Sequence, residues 1–378
     1  MQKLLALGAA SLALTLPLSA AAGLTESARL AVVYDTILQA RFDRARSEIS
    51  RACPPAPSEA CLALRAAAIW WEIQLDPRNR RLDGPMQAAA AEATAAADRW
   101  TRREPENAEA WFYLAAAHAP LEQWRVLRGR RLAVARDAVR LKNALERALA
   151  LDPTLQDAYF GIGLYHYYAD VAPAAIKLLR RLLLLPGGNR VEGLREMLRA
   201  REGGSLLRGE ADYQLHWLYI WYEHQPERAL ELLRGLDARY PSNPVFLQRI
   251  AEVLRDDVRD PVASATAWRT LLERAMEGRT EFAAMTVIRA RIGLADELIA
   301  TSHADRAIDL LARVAETHPQ APYGADARVH LSLGRAYERL GDRDRAIIAW
   351  RAAIAAAPSD DPDNIRSRAR AAIARIGR

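Results

Sequence analysis

Small and bulky side chains recur in one order about every 34 residues along much of this chain, and a period of that length leaves few folds open. In the clearest unit Leu333, Gly334 and Tyr337 fall on one predicted helix and Gly341-Asp342 marks a turn. Ala346, Trp350 and Ala353 fall on a second helix, and Pro358 closes the unit. Gly334 and Ala346 let two antiparallel helices approach closely, while Tyr337 and Trp350 fill the space between successive units. Gly334 is therefore expected to accept Ala but no bulky side chain. The same spacing returns at Leu294, Ala295, Leu298, Ala307, Leu311, Val314 and Pro319, and again at Tyr213, Trp217, Ile220, Ala229, Leu233, Leu236 and Pro241. A unit that cannot bury its apolar face alone must stack on its neighbours. The pattern predicts an all-α fold, an α-solenoid of antiparallel helix pairs.

Tyr240-Pro241-Ser242-Asn243-Pro244 leads into a fourth unit through Leu247, Ile250, Ala251 and Leu254, whose second helix, around Trp268 and Leu271, is slightly shifted. Another unit opens at Trp111, Leu114 and Ala115, is interrupted around Gln123–Arg136, and ends at Leu145, Ala148 and Pro153. Before residue 105 the pattern fades into degenerate or capping repeats, with predicted helices over Ser27–Ala52, Cys61–Leu75 and Pro85–Arg103. Four regions follow: a leader at 1–22, an N-terminal helical region at 23–105, a central region at 106–255 with a glycine-rich insertion, and C-terminal repeats at 256–378.

The C-terminal unit resembles the tetratricopeptide repeat position for position, at Gly334, Tyr337, Ala346 and Pro358. Residues 107–255, with Gly161-Ile162-Gly163, the turn Pro186-Gly187-Gly188-Asn189-Arg190 and the loop Gly203-Gly204, are similar to a group of exported bacterial tetratricopeptide proteins. More distantly, they resemble a eukaryotic tetratricopeptide family connected with the mitochondrial outer membrane, in which an Asp stands where this chain has Asn189. The resemblance implies a scaffold that holds a protein or peptide partner. It also implies a concave wall lined by first-helix side chains, here Phe112, Phe160, Tyr167, Tyr168, Gln214, Trp221 and Tyr222. The family's clamp for a C-terminal carboxylate does not carry over, because Arg328, Leu331 and Arg335 are not its Lys/Asn pattern.

Lys3, the apolar run Leu4–Leu18 and the small residues up to Gly23 read as a cleaved secretory leader, giving a periplasmic or secreted protein. The formal charge of +6 is spread along the chain and is no nucleic-acid footprint. Cys53 and Cys61 bracket a Pro/Ser-rich segment, and in an oxidising compartment they would close a small loop as a disulfide.

No Walker loop, HExxH or GxSxG occurs, and the seven histidines are scattered singly, so neither enzyme, cofactor nor metal is expected. His118 and His166 read as packing residues, and Asp157, Asp170 and Glu210 have no spacing that pairs them. Asn189 is placed to cap a helix beside Arg190, where a tight corner is favoured over a small anion site. Two basic stretches offer an alternative, peripheral contact with lipid or surface polysaccharide: Arg125, Arg128, Arg130, Arg131, Arg136, Arg140 and Lys142 in the insertion, and Lys177, Arg180 and Arg181 on a leucine-rich helix. Non-reducing peptide mapping of the exported protein should recover Cys53 and Cys61 in one linked fragment; two freely alkylated thiols would defeat both the bridge and part of the export reading.

Overall fold

The computed structural model describes residues 23–172, 177 and 187–376; the leader expected at 1–22, and Arg180 and Arg181, lie outside the described residues. Among the described residues there are seventeen helices and no strand. The first eight are α1 (Ser27–Leu38), α2 (Phe42–Ala52), α3 (Ser58–Leu75), α4 (Asp83–Arg103), α5 (Ala108–Leu127), α6 (Arg131–Leu151), α7 (Ala158–Val171) and α8 (Arg190–Gly203). They are followed by α9 (Arg208–Trp221), α10 (Pro226–Arg239), α11 (Pro244–Asp256), α12 (Pro261–Met276) and α13 (Ala283–Ala300). The last four are α14 (Ala304–Ala315), α15 (Ala325–Arg339), α16 (Arg343–Ala356) and α17 (Ile365–Ile376).

Side chains that satisfy free N–H groups set many of the starts. Asn107, Asn189, Asn243, Asp260 and Asp342 each accept a bond from the first turn of the helix they precede. Pro226, Pro244 and Pro261 occupy first-turn positions where no donor is lost. Sequential helices pack together, and second neighbours meet at α1/α3, α3/α5, α13/α15 and α15/α17. That is the stacking of a solenoid. One cluster of buried apolar side chains extends from Leu24 to Ala349, and a smaller one runs from Ala327 to Ala372.

The N-terminal helices also fold back onto later units. Trp71 of α3 packs on Tyr213 of α9 and Phe246 of α11, with ring centroids 4.8 and 5.8 Å apart. Asn243 donates to the Leu38 carbonyl at 2.8 Å, and the Tyr240 hydroxyl donates to Asp35. Farther along, the Tyr323 amide donates to Asp76 at 2.9 Å. The first three helices thus pack against units far along the chain. Cys53 and Cys61 form a disulfide across the α2–α3 junction.

Close approach is achieved at glycines. A Cβ on Gly163 would lie 2.6 Å from the Gly193 carbonyl oxygen, and one on Gly193 would lie 2.5 Å from that of Gly163, so α7 and α8 cross backbone to backbone. In α15 a Cβ on Gly334 would lie 2.2 Å from Nε1 of the fully buried Trp350. This corrects the expectation that Gly334 accepts Ala, because the indole seats directly on the glycine. Gly334→Ala should lower the melting temperature, its overpacking cost of about 1–3 kcal/mol exceeding what Ala gains in helix propensity. Gly235→Ala in α10, with nothing within 4 Å of its Cβ, should raise stability by about 0.5–1 kcal/mol. Thermal melts of the two variants beside the parent check the opposite signs.

Candidate partner-binding face

Alternate helices α9, α11, α13, α15 and α17 bring one row of polar and aromatic side chains together. The row begins on α9, where Trp217 and Trp221 are stacked with centroids 4.3 Å apart and Trp221 is 57% exposed. The Arg249 guanidinium of α11 lies 4.7 Å over the Trp217 ring. Arg249 pairs with Glu252 at 2.5 Å, and Gln248 on the same helix accepts from Arg289 of α13 at 3.0 Å. Beyond Arg289 a recess of about 190 Å³ opens, lined by Arg255, Arg289, Arg328, Arg335 and Arg368 against the two carboxylates Glu252 and Asp296. A second recess of about 250 Å³ shares Arg335 and Arg368 with it and adds Arg339, Arg375 and Glu338.

Cations outnumber anions here, and several donors lack acceptors. Arg335 and Ser332 both donate to Oδ1 of Asp296, at 3.1 and 2.7 Å. Arg328 Nε stands 3.9 Å from Asp363, too far for a hydrogen bond. Arg249 Nε, Arg328 Nε, Trp268 Nε1 and Trp350 Nε1 are buried without a partner among the described residues. The Arg289 side chain is 10% exposed and 4.0 Å from Asp76. Burial, reinforced by the neighbouring Arg328, lowers its pKa to about 10. The arginine-rich lining of both recesses favours negative charge.

The expected concave aromatics separate into two groups. Trp221 and Tyr168 are exposed, and Gln214 and Tyr222 are half-buried. Phe112, Phe160 and Tyr167 are buried, which corrects their assignment to a binding wall. α5 is enclosed by α3, α4 and α6, so the inner position held by Phe112 faces protein. Tyr167 lies behind Tyr168 and Tyr222, both within 5.9 Å of its ring, and its hydroxyl donates to Glu223.

Most basic candidates are already paired. Arg190, the alternative anion contact, is held by Glu223 in an internal ion pair, with Nε 2.8 Å from Oε1. Asn189 caps α8 through Val191 and Glu192 at 3.0 and 3.1 Å, as the corner reading requires. Lys177 stands 3.8 Å from Asp170. In the insertion, Arg125 bridges Glu122 and Asp137, Lys142 pairs with Glu146, and Arg130 covers the Trp124 ring. Arg128, 9% exposed, joins Asp83 and the carbonyls of Pro77 and Asn79. Arg140 reaches Asp137 at 3.4 Å; the side chains of Arg131 and Arg136 lie outside the described residues.

The three carboxylates that spacing could not pair do not meet. Asp157 accepts from the amides of Ser205, Leu206 and Leu207 ahead of α9. Asp170 accepts from the Arg190 amide. Glu210 accepts from Tyr34, Trp71, Gln123 and Gln214 at 2.9–3.2 Å. His166 meets Glu196 at 2.7 Å, whereas Nδ1 of His118 is buried without a partner.

Residues 329–360 match the tetratricopeptide repeat family. The fold is a tetratricopeptide-like α-solenoid. No curated protein matches the sequence. Among solved structures the chain is similar to a chain of the APC/C hetero-tetramer Cut9–Hcn1 at 15% identity, covering 88% of this chain and 59% of that one, with a TM-score of 0.42. Yeast Tom70 is similar at 15% identity over 83% of this chain and 65% of its own, with a TM-score of 0.41. A Rap protein complexed with competence and sporulation factor is similar at 11% identity over 93% and 98%, with a TM-score of 0.40. The chain therefore spans less than two thirds of the Cut9–Hcn1 and Tom70 chains it matches.

Beneath the aromatic end, burial and then the Arg249 charge push the His216 imidazole down to about 3. Its unfolded pKa is near 6.5, so the stability contributed by keeping this ring neutral is complete above about pH 6.5 and is lost as pH falls towards 3, with a slope approaching roughly 1.4 kcal/mol per pH unit. Denaturant titrations between neutral pH and about pH 4.5 should show the parent losing stability more steeply than His216→Phe, which carries no titrating nitrogen. Parallel profiles would refute this assignment.

Proposed function

We propose that the chain is a non-catalytic scaffold of the cell envelope that holds a protein or peptide partner along the face running from Trp221 to Arg368, and that the bound segment is acidic with apolar side chains between its carboxylates. The observation that carries this reading is the arginine-rich lining of the two recesses, in which the Arg328 and Arg335 side chains are partly exposed. Carboxylates of a bound strand or helix would take the acceptor role at Arg328 and Arg335, and its apolar groups would cover Trp221. The fold supports partner holding, since stacked repeats present long surfaces. An envelope location is supported by the leader-like run Leu4–Leu18 and by a disulfide, which belongs to oxidising compartments. Peripheral attachment to lipid through the basic insertion is the weaker reading, because Arg125, Arg128 and Lys142 are committed to internal carboxylates.

Fluorescence anisotropy with a labelled peptide alternating Glu and Phe, and with its Lys/Phe counterpart, tests the face. Arg328→Glu combined with Arg335→Glu should weaken the acidic peptide by at least about tenfold, equivalent to roughly 1.4 kcal/mol, and added salt should weaken the parent complex. Trp221→Ala should lose about 2 kcal/mol of binding with little change in melting temperature, as its ring is exposed. Equal affinity for both peptides, or an undiminished double variant, would overturn the proposal.

A further inference from the structure

A second cluster lies on the other side of α15. Asp326 and His330 stand at i and i+4 on its first two turns, and His318 stands on the connection from α14. Positions 326 and 330 are two residues out of step with 328 and 332, so roughly 200° of helix rotation separates this cluster from the arginine row. Nδ1 of His318 is 3.5 Å from Oδ2 of Asp326, and Nε2 of His330 is 3.6 Å from Oδ1 of the same carboxylate. One donor atom from each of the three residues lies within 4.8 Å of the others. Asp326 Oδ1 is buried and has no hydrogen-bond partner among the described residues.

We propose that His318, Asp326 and His330 form a zinc site. Ligand atoms on a tetrahedral zinc, each about 2.0–2.2 Å from the ion, are separated by roughly 3.3–3.6 Å; each ring already stands at that distance from one carboxylate oxygen, His318 from Oδ2 and His330 from Oδ1, and a shared single oxygen requires one ring to move inward. A metal would also satisfy Asp326 Oδ1, which neither ring reaches as a hydrogen-bond acceptor. Two imidazoles with one carboxylate suit zinc over calcium or magnesium, which take oxygen ligands. The His318 side chain is 73% exposed, so it can rotate the remaining distance inward, and the fourth position stays open to water. Coordination would tie the α14–α15 connection to the first turns of α15.

The site is tested on the full chain made without a polyhistidine tag, stripped with EDTA, desalted and titrated calorimetrically with zinc chloride. One equivalent should bind with micromolar or tighter affinity and raise the melting temperature. His330→Ala and Asp326→Asn should each weaken that binding at least about tenfold, in the range expected when a ligand is removed. His303→Ala, which alters an exposed histidine outside the cluster, should leave it unchanged. Circular dichroism of each variant reports folding, and X-ray absorption of the zinc-loaded parent should show imidazole scattering. Absence of stoichiometric binding to folded parent protein, or equal affinity in the parent and both ligand variants, would overturn the site.

Discussion

The Glu210 carboxylate ties the N-terminal helices to the middle of the solenoid. It is 3% exposed, and its two oxygens collect the hydroxyl of Tyr34, the indole N–H of Trp71 and the side-chain amides of Gln123 and Gln214. A buried charge is tolerated when its lone pairs are satisfied, and here four donors from α1, α3, α5 and α9 satisfy them. With the same contacts the first helices are fixed against α9 and α11. The arginine-lined recesses lie on the units around α11, α13, α15 and α17.

The difference between local contacts and contacts across units explains which parts of the molecule were legible in the sequence. The C-terminal unit was readable because Gly334, Ala346 and Trp350 act within a single helix pair, where local spacing determines contact. Capping by Asn189 was readable for the same reason. Phe112 and Tyr167 were misplaced because a repeat template treats inner-wall positions as free, whereas helix enclosure at α5 and the rings of Tyr168 and Tyr222 at α7 bury them; Phe160 is buried in the core as well. Arg328 and Arg335 were visible and set aside for not matching a carboxylate clamp. Their company with Arg289 and Arg368 comes from stacking across units, which no spacing rule reports.

Glycine has different tasks along the chain. At Gly163 and Gly193 two backbones meet, so the pair sets the crossing of α7 and α8. At Gly334 the neighbour is the Trp350 indole, and at Gly293 it is the Trp268 indole, which a Cβ would approach to 2.4 Å. Trp350 lies in the helix that follows its glycine, while Trp268 lies in the helix that precedes its own. The slight shift of the fourth repeat at Trp268 in the sequence corresponds to this reversed order, so one volume relation between a large ring and a missing side chain serves both within and between units.

The fold-back of the first helices has a consequence for synthesis. A simple solenoid can gain order from either end, each unit needing only its neighbour. Here Tyr34 waits 176 residues for Glu210, Leu38 waits 205 for Asn243, and Asp76 waits 247 for Tyr323. Contacts so distant in sequence slow folding, since a long loop must close before they contribute. At a ribosomal pace of about 5–20 residues per second, α1 and α3 spend on the order of ten seconds or more without their partners, with Leu38 and Trp71, which pack on Gly209, Tyr213 and Phe246 in the folded chain, facing whatever surrounds the nascent chain. Helices α1 and α3 precede their partners in this chain and so are among the last of its elements to find their places.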